Sequence, residues 1–366
     1  MAVKVKGKAG ETAKQVLDRY KKKMGDDIGE FGGLPATADR VPTGLFEMDL
    51  AMGGGIPRGR CTIIYGPEDS AKSTLAFLLI ANHQRLWPDK ICVYVAIEPF
   101  DGPWAKKCGV DVSNLAVLYP AYAEEAVDMT EDMLNAEDCG LVVLDSIAAM
   151  ITTQEAEKSA EGANPGGTGL VIGKLVRKTT LALREAEKAG RSPTLVYINQ
   201  IRHKIGVMFG SPETMPGGFA ALYQARMRIR VFGKGIQDSK ISENLNVRRE
   251  VKFDLKKTKI PIVATHGKTE IVVYPHNNLR IGDSDDANTI LQYLKDFAAV
   301  EKKGSKGWEI LGEDYPTQDA FKARLYMDRN FGSEVRKAII ERILSELDYD
   351  AVPDDDTIDA DGVVQG

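Results

Sequence analysis

Nine residues, Gly66-Pro67-Glu68-Asp69-Ser70-Ala71-Lys72-Ser73-Thr74, follow an apolar run and open a stretch of helical spacing. That is the context a phosphate-binding loop requires. Successive backbone N–H groups and a helix N-terminus suit phosphate oxygens, Lys72 suits the terminal phosphates, and the Ser73 hydroxyl suits Mg²⁺. Ala71 stands where G-x-x-x-x-G-K-[ST] has its second glycine, a place alanine fills easily only if the backbone keeps a negative φ. In Leu141-Val142-Val143-Leu144-Asp145-Ser146 a carboxylate ends another apolar run and can hold the metal ion directly or through water. Glu98 and Gln200 close two further runs. A glutamate there can orient or deprotonate a water that attacks a γ-phosphate. Open α/β sheets bind ligands outside the carboxyl ends of their strands. Lys72, Glu98, Asp145 and Gln200 are therefore expected to converge on one crevice that takes ATP with Mg²⁺.

Gln200 leads directly into residues 201–218, a basic and apolar stretch that holds Val207, Met208 and Phe209 between Gly206 and Gly210. Apolar side chains of that kind in a glycine-flanked loop normally wait for a partner. Single-stranded DNA fits: Arg202 and Lys204 suit phosphates, and Gly206, Gly217 and Gly218 let backbone approach a strand closely. Val207, Met208 and Phe209 can wedge between or stack on bases without reading them. Gln200 would report the state of the bound nucleotide to this loop. Lys174, Arg177 and Lys178 recur at helical spacing and are candidates to line the same channel, whereas 154–169 is a candidate DNA loop by position only. Lys302, Lys303 and Lys306 are read as a solvated face, with duplex capture as the alternative.

The elements that must position these groups are legible as apolar runs. Runs at 61–65, 91–97, 115–119, 141–145 and 195–199 read as parallel strands buried on both faces. Helices are expected at 72–86, 123–136 and 170–189, and alternating segments at 227–232, 248–255 and 271–274 suggest strands at one sheet edge. The reading is an α/β doubly wound sheet. Ahead of it, Ala13, Val16, Leu17 and Tyr20 mark one amphipathic helix, for its own core or a neighbouring subunit. After Pro275 two helices, 287–299 and 333–347, flank a short polar and aromatic segment. A tail rich in aspartate from Asp348 is expected to be disordered.

A hydrophobic content of 43% is ample for a core, and a formal charge of −5 means that any nucleic-acid contact is local. Cys61, Cys92, Cys108 and Cys139 form no C-x-x-C pair, which argues against a disulfide framework or zinc site and for a reducing compartment. With no signal-length apolar run and no bilayer-spanning segment, the expected location is the cytoplasm, of a bacterium or of the host of a phage.

The order of these parts resembles the RecA recombinases, bacterial RecA or the phage UvsX type. Val41-Pro42-Thr43-Gly44, residues 66–74, Glu98, Leu144-Asp145-Ser146 and residues 198–218 carry the resemblance, which runs from residue 38 to 347. It implies a RecA-type P-loop ATPase core with a mostly parallel central sheet, an N-terminal helix and a small α+β C-terminal domain. The divisions would be 1–37 for the subunit-docking helix and linker, 38–280 for the ATPase core with DNA-binding loops, 281–347 for the C-terminal domain and 348–366 for the acidic tail. The implied activity is ATP- and single-stranded-DNA-dependent assembly into helical filaments, with pairing and strand exchange against homologous double-stranded DNA. Single-strand-binding and loader proteins would be further partners. Position by position, Glu98 resembles the catalytic glutamate, Asp145 the Walker B aspartate and Gln200 the nucleotide-sensing glutamine. Trp104 falls at an adenine-stacking tyrosine, and Asp101 near an adenine contact. Lys257 and Lys259 match lysines that reach the ATP of the adjacent protomer, and Tyr223 matches an aromatic subunit contact. Ala71, Pro99 with Phe100, and Met215-Pro216 depart from the family's pattern. Two other readings share these motifs, a ring helicase and an ATP-gated DNA-binding scaffold with negligible turnover.

Overall fold

The computed structural model describes residues 12–24, 39–157, 167–203, 213–214, 220–238, 242–258, 262–276, 278–304 and 307–347. Helix α1 (Ala13–Met24) precedes an antiparallel ribbon of β1 (Arg40–Val41) with β2 (Ile56–Pro57), which encloses α2 (Phe46–Ala51). Next come β3 (Cys61–Gly66), α3 (Lys72–Leu86), β4 (Ile91–Ala96), α4 (Gly102–Lys107), β5 (Leu115–Leu118) and α5 (Ala123–Asn135). They are followed by β6 (Cys139–Asp145), α6 (Thr153–Ala156), α7 (Gly167–Lys188), β7 (Thr194–Gln200), β8 (Arg202–His203), β9 (Glu213–Thr214) and α8 (Ala220–Gln224). Three longer strands complete the core: β10 (Met227–Asp238), β11 (Ser242–Thr258) and β12 (His266–Val272). The C-terminal module holds α9 (Ala287–Asp296), β13 (Val300–Lys302), β14 (Trp308–Ile310), β15 (Glu313–Tyr315), α10 (Gln318–Met327) and α11 (Arg329–Glu346).

Eight strands form one sheet in the order β12-β11-β10-β3-β7-β6-β4-β5. From β10 to β5 all neighbours are parallel, and β11 and β12 extend the sheet in antiparallel fashion. Parallel strands with helices on both faces need apolar side chains on both, and β3 and β6 are buried along their whole length. One face packs α2, α3 and α4 through Met48, Leu75, Leu79 and Ala105. The other packs α5, α7 and α8 through Val127, Ile172, Leu175 and Ala221. Phe46, on the same short helix as Met48, instead enters the C-terminal module, where its ring lies 5.6 Å from that of Tyr293. No helix among the described residues is long and apolar enough to cross a membrane.

The α/β class and the edge position of the late strands agree with the sequence reading, and three elements differ from it. Helix α7 starts at Gly167, so Gly167 and Gly169 are helical rather than part of a loop. Strands β10 and β11 pair well beyond the expected segments, from Met227↔Thr258 out to Asp238↔Ser242. Their outer halves are polar and glycine-containing, so alternation does not mark them. The segment between the two late helices holds a third, α10, started by Thr317, whose hydroxyl accepts from the Ala320 amide, and anchored by Phe321, Leu325 and Tyr326. A threonine cap ahead of apolar residues at helical spacing was the available signal.

His83 on α3 is fully buried, with Cys92 Sγ 3.4 Å from its Nδ1 and the Trp87 ring 4.8 Å away. Burial, reinforced by the charge of Arg58, pushes its pKa down to about 4. The unfolded chain binds this proton near pH 6.5 and the folded chain only near pH 4, so stability is full above the first value and falls as pH drops toward the second. Denaturant titrations at about pH 7 and about pH 5 are expected to differ by roughly 2 kcal/mol through this group, a difference that His83→Gln removes.

Candidate functional site

The carboxyl ends of four parallel strands assemble the site. Gly66 ends β3 beside Gln200 at the end of β7, and Ala96 ends β4 beside Asp145 at the end of β6. The loop after β3, Glu98, Asp145 and Gln200 thus line one cleft of about 540 Å³, together with Asp101, Trp104, Asn246, Arg248, Arg249, Ile271 and Val273. Lys72, Glu98, Asp145 and Gln200 do converge.

Asp145 is 4% exposed, and its Oδ2 accepts from Ser73 Oγ at 2.8 Å and from the Tyr94 hydroxyl at 2.5 Å. Burial raises its pKa and Glu98 adds to the rise, while those two hydrogen bonds and the Lys72 charge oppose it. Burial likewise lowers the pKa of Lys72, against the pull of Asp145, Glu98, Glu68 and Asp69. The Lys72 ammonium donates to the Pro67 carbonyl at 2.5 Å and to Ser70 Oγ at 3.4 Å. Glu98 is half-buried, and its Oε1 accepts from Ser146 Oγ at 2.5 Å and Gln200 Nε2 at 3.2 Å. The Glu98 carboxylate is thereby joined to the side-chain amide that ends β7. Asp101 caps α4 by accepting from the Trp104 amide at 2.9 Å, and the Trp104 indole donates to Thr74 Oγ1 at 3.2 Å.

Ala71 does not keep the negative φ at which alanine is easily accommodated. Ala71 lies in the left-handed region with φ 69° and ψ 22°, two residues after Asp69 at φ 56°. The loop retains the shape that glycine would give it, and the alanine bears a cost of about 1–2 kcal/mol for the clash of its Cβ with the following carbonyl.

Ser73 and Asp145 offer a hydroxyl and a carboxylate oxygen side by side, the hard donors Mg²⁺ prefers when phosphates complete its shell. The donor set therefore fits the ion.

The residues expected at DNA and at subunit contacts are distributed differently. Arg202 pairs with Thr214 across a two-strand ribbon that brackets residues 204–212. Lys204, Gly206, Val207, Met208, Phe209, Gly217 and Gly218 lie outside the described residues, as do Lys259, Lys306 and the tail from Asp348. Lys257 sits on β11 opposite Arg228. Lys174 and Arg177 are exposed on α7, but Lys178 turns to α5 and pairs with Asp128 at 2.8 Å and with Glu131. Lys303 is held by Glu309 and Asp314. Tyr223 is 68% exposed on α8.

The sequence reading missed Tyr94, Ser146, Asn246, Arg248 and Arg249. Tyr94 was detectable in principle, because a tyrosine inside a buried strand needs a partner for its hydroxyl. Ser146 follows Asp145 directly. The other three reach the cleft only through the pairing of β11 with β10 and β12, which no local pattern encodes.

Comparison with known proteins agrees with this geometry. The family model for the RecA N-terminal domain matches residues 12–275. The RecA protein of Roseiflexus castenholzii is 32% identical over 331 residues, covering 89% of this chain and 88% of that protein. That of Aquifex pyrophilus is 34% identical over 291 residues, covering 79% and 78%. That of Amycolatopsis mediterranei is 33% identical over 355 residues, covering 95% and 96%. Matches at this identity along nearly the full length of both partners, over a cleft with these side chains, leave one assignment: the chain belongs to the RecA family of recombinases.

Proposed function

We propose that this chain is an ATP- and single-stranded-DNA-dependent recombinase that forms helical filaments on single strands and catalyses homologous pairing and strand exchange in recombination and repair. The observation that carries the reading is the Gln200–Glu98 hydrogen bond. It links the carboxylate suited to activate water with the strand end that runs into residues 201–218. A change at the γ-phosphate then has a direct route to the DNA loop.

In this reading Lys72 and the loop amides hold the β- and γ-phosphates of ATP, while Asp101 and Trp104 bound the adenine end. Ser73 and Asp145 hold Mg²⁺, which neutralises phosphate charge when bound. Glu98 orients the attacking water and accepts its proton, with Ser146 and Gln200 fixing one of its oxygens so that the other faces the substrate. Lys257 and Lys259 reach the ATP of an adjacent protomer and Tyr223 contacts that protomer, so turnover belongs to the filament. Residues 201–218, with Lys174 and Arg177, hold the single strand. Lys178 serves α7–α5 packing before it serves DNA. The helix within 1–37 docks between subunits, 38–280 is the ATPase core, and 281–347 is the C-terminal domain. Single-strand-binding and loader proteins in the cytoplasm act on the filament.

The test compares ATP hydrolysis with and without single-stranded DNA, alongside exchange between homologous and heterologous duplexes. Stimulation by DNA and a requirement for homology are expected, and Phe209→Ala with Arg202→Ala should lower exchange at least about tenfold by removing a stacking group and a phosphate contact. Unwinding without homology would point to a helicase, and binding without turnover to a scaffold.

A further inference from the structure

Arg249 belongs to none of the motifs above. Its side chain leaves β11 and donates through Nη1 to the carbonyl oxygen of Asp69, at the apex of the phosphate loop. Asp69 and Ala71, the two left-handed residues of this loop, flank Ser70. Each is uphill by about 1–2 kcal/mol for a residue with a Cβ, and such conformations persist only where the surroundings over-determine them.

Strand β10 supplies one part of that restraint. A Cβ on Gly66 would fall 2.1 Å from the Val231 carbonyl oxygen, and one on Gly233 would fall 2.6 Å from the Asp69 carbonyl oxygen and 2.9 Å from Ser70 Cα. Backbone therefore presses on backbone along one flank of the loop. Arg249, from the next strand, ties the same Asp69 carbonyl. The cleft is lined by Glu68, Asp69, Glu98, Asp101 and Asp145, against which the lining cations are Lys72, Arg248 and Arg249. Arg248 is engaged 3.0 Å from Glu270. Arg249 is thus the cation placed to act on the loop from outside it.

We propose that Arg249 is a positioning residue of the nucleotide site, a strap from β11 that holds the loop apex in the left-handed form that Ala71 does not favour by itself. Arg249 and Ala71 then form an energetically coupled pair, and the strap is what makes an alanine workable at that position. Its consequence for affinity rests on the reading of the cleft as an ATP site; its effect on the loop does not.

The experiment measures hydrogen–deuterium exchange of peptides covering residues 66–74 in the full-length, nucleotide-free protein, then binding of a fluorescent ATP analogue. Four variants are compared with wild type: Arg249→Ala, Arg249→Lys, Ala71→Gly and Arg249→Ala with Ala71→Gly. Arg249→Ala is expected to raise loop exchange and weaken analogue binding, each about tenfold, with exchange in β6 unchanged. Adding Ala71→Gly should remove most of both effects, because glycine holds φ > 0 without a strap. Arg249→Lys keeps one donor for the carbonyl and should fall between. Equal effects of Arg249→Ala in the alanine and glycine backgrounds would overturn the coupling, and unchanged loop exchange would overturn the strap. Exchange that follows the expected pattern while wild type binds no analogue would uphold the strap and remove the ATP reading instead.

Discussion

Glu98→Gln is expected to lower ATP turnover by about 10²–10⁴-fold, the usual contribution of a positioned general base. Nucleotide binding and assembly on DNA should survive. Glutamine keeps the length and planarity of the side chain, so its amide oxygen can still accept from Ser146 Oγ and Gln200 Nε2, as Glu98 Oε1 does at 2.5 and 3.2 Å. What disappears is the basic oxygen that would take a proton from water. Single-turnover phosphate release in the presence of single-stranded DNA separates this from a binding defect. Wild-type turnover in the variant would remove Glu98 from its role. Glu98→Ala is the informative contrast, since it also breaks the link to Gln200 and should disturb the response to nucleotide as well as the chemistry.

Arg336→Met is expected to destabilise the C-terminal module by about 3–5 kcal/mol, the range for breaking a buried ion pair from one side. The Arg336 guanidinium forks onto the Asp286 carboxylate, Nε to Oδ2 at 2.8 Å and Nη2 to Oδ1 at 2.6 Å, and its Nη1 donates to the Gly332 carbonyl. Asp286 is fully buried, so methionine would strand its charge. The pair joins the start of α9 to the middle of α11 and thereby closes the module. Hydrogen exchange of α11 peptides in increasing denaturant reports the loss. Adding Asp286→Leu removes the orphaned charge and should recover much of it. A double variant no more stable than Arg336→Met would show that geometry rather than charge is at stake.

The parallel core was legible because burial on both faces leaves a coarse signature: Cys61 to Tyr65, interrupted only by Thr62, and Leu141 to Leu144 are near-continuous apolar runs, each followed by a polar group of the cleft. Lys72, Glu98, Asp145 and Gln200 could be gathered into one crevice on that rule. The rule says nothing of what lies beneath them. Tyr94 supports Asp145 from within β4, a contact that depends on strand order, with β4 next to β6. Arg249 was hidden for a related reason, since it reaches the loop from a strand some 180 positions later in the chain. The conformation of Ala71 was not legible, because a residue's own preference does not decide it where a neighbouring strand presses on the loop. In the C-terminal module α10 was overlooked because Phe321, Leu325 and Tyr326 were counted as composition rather than as one helical face.

Phe46 has a practical consequence. Its helix is held by the ATPase core, while its ring is fully buried in the interior of the C-terminal module. Phe46 is the aromatic rivet between the two bodies, alongside Val272 of β12 and Leu50 of its own helix. A truncated protein ending after β12 would present that rivet to water with nothing to receive it, and would self-adhere. An isolated core fragment therefore calls for a hydrophilic residue at position 46 before its solubility or its catalysis is judged.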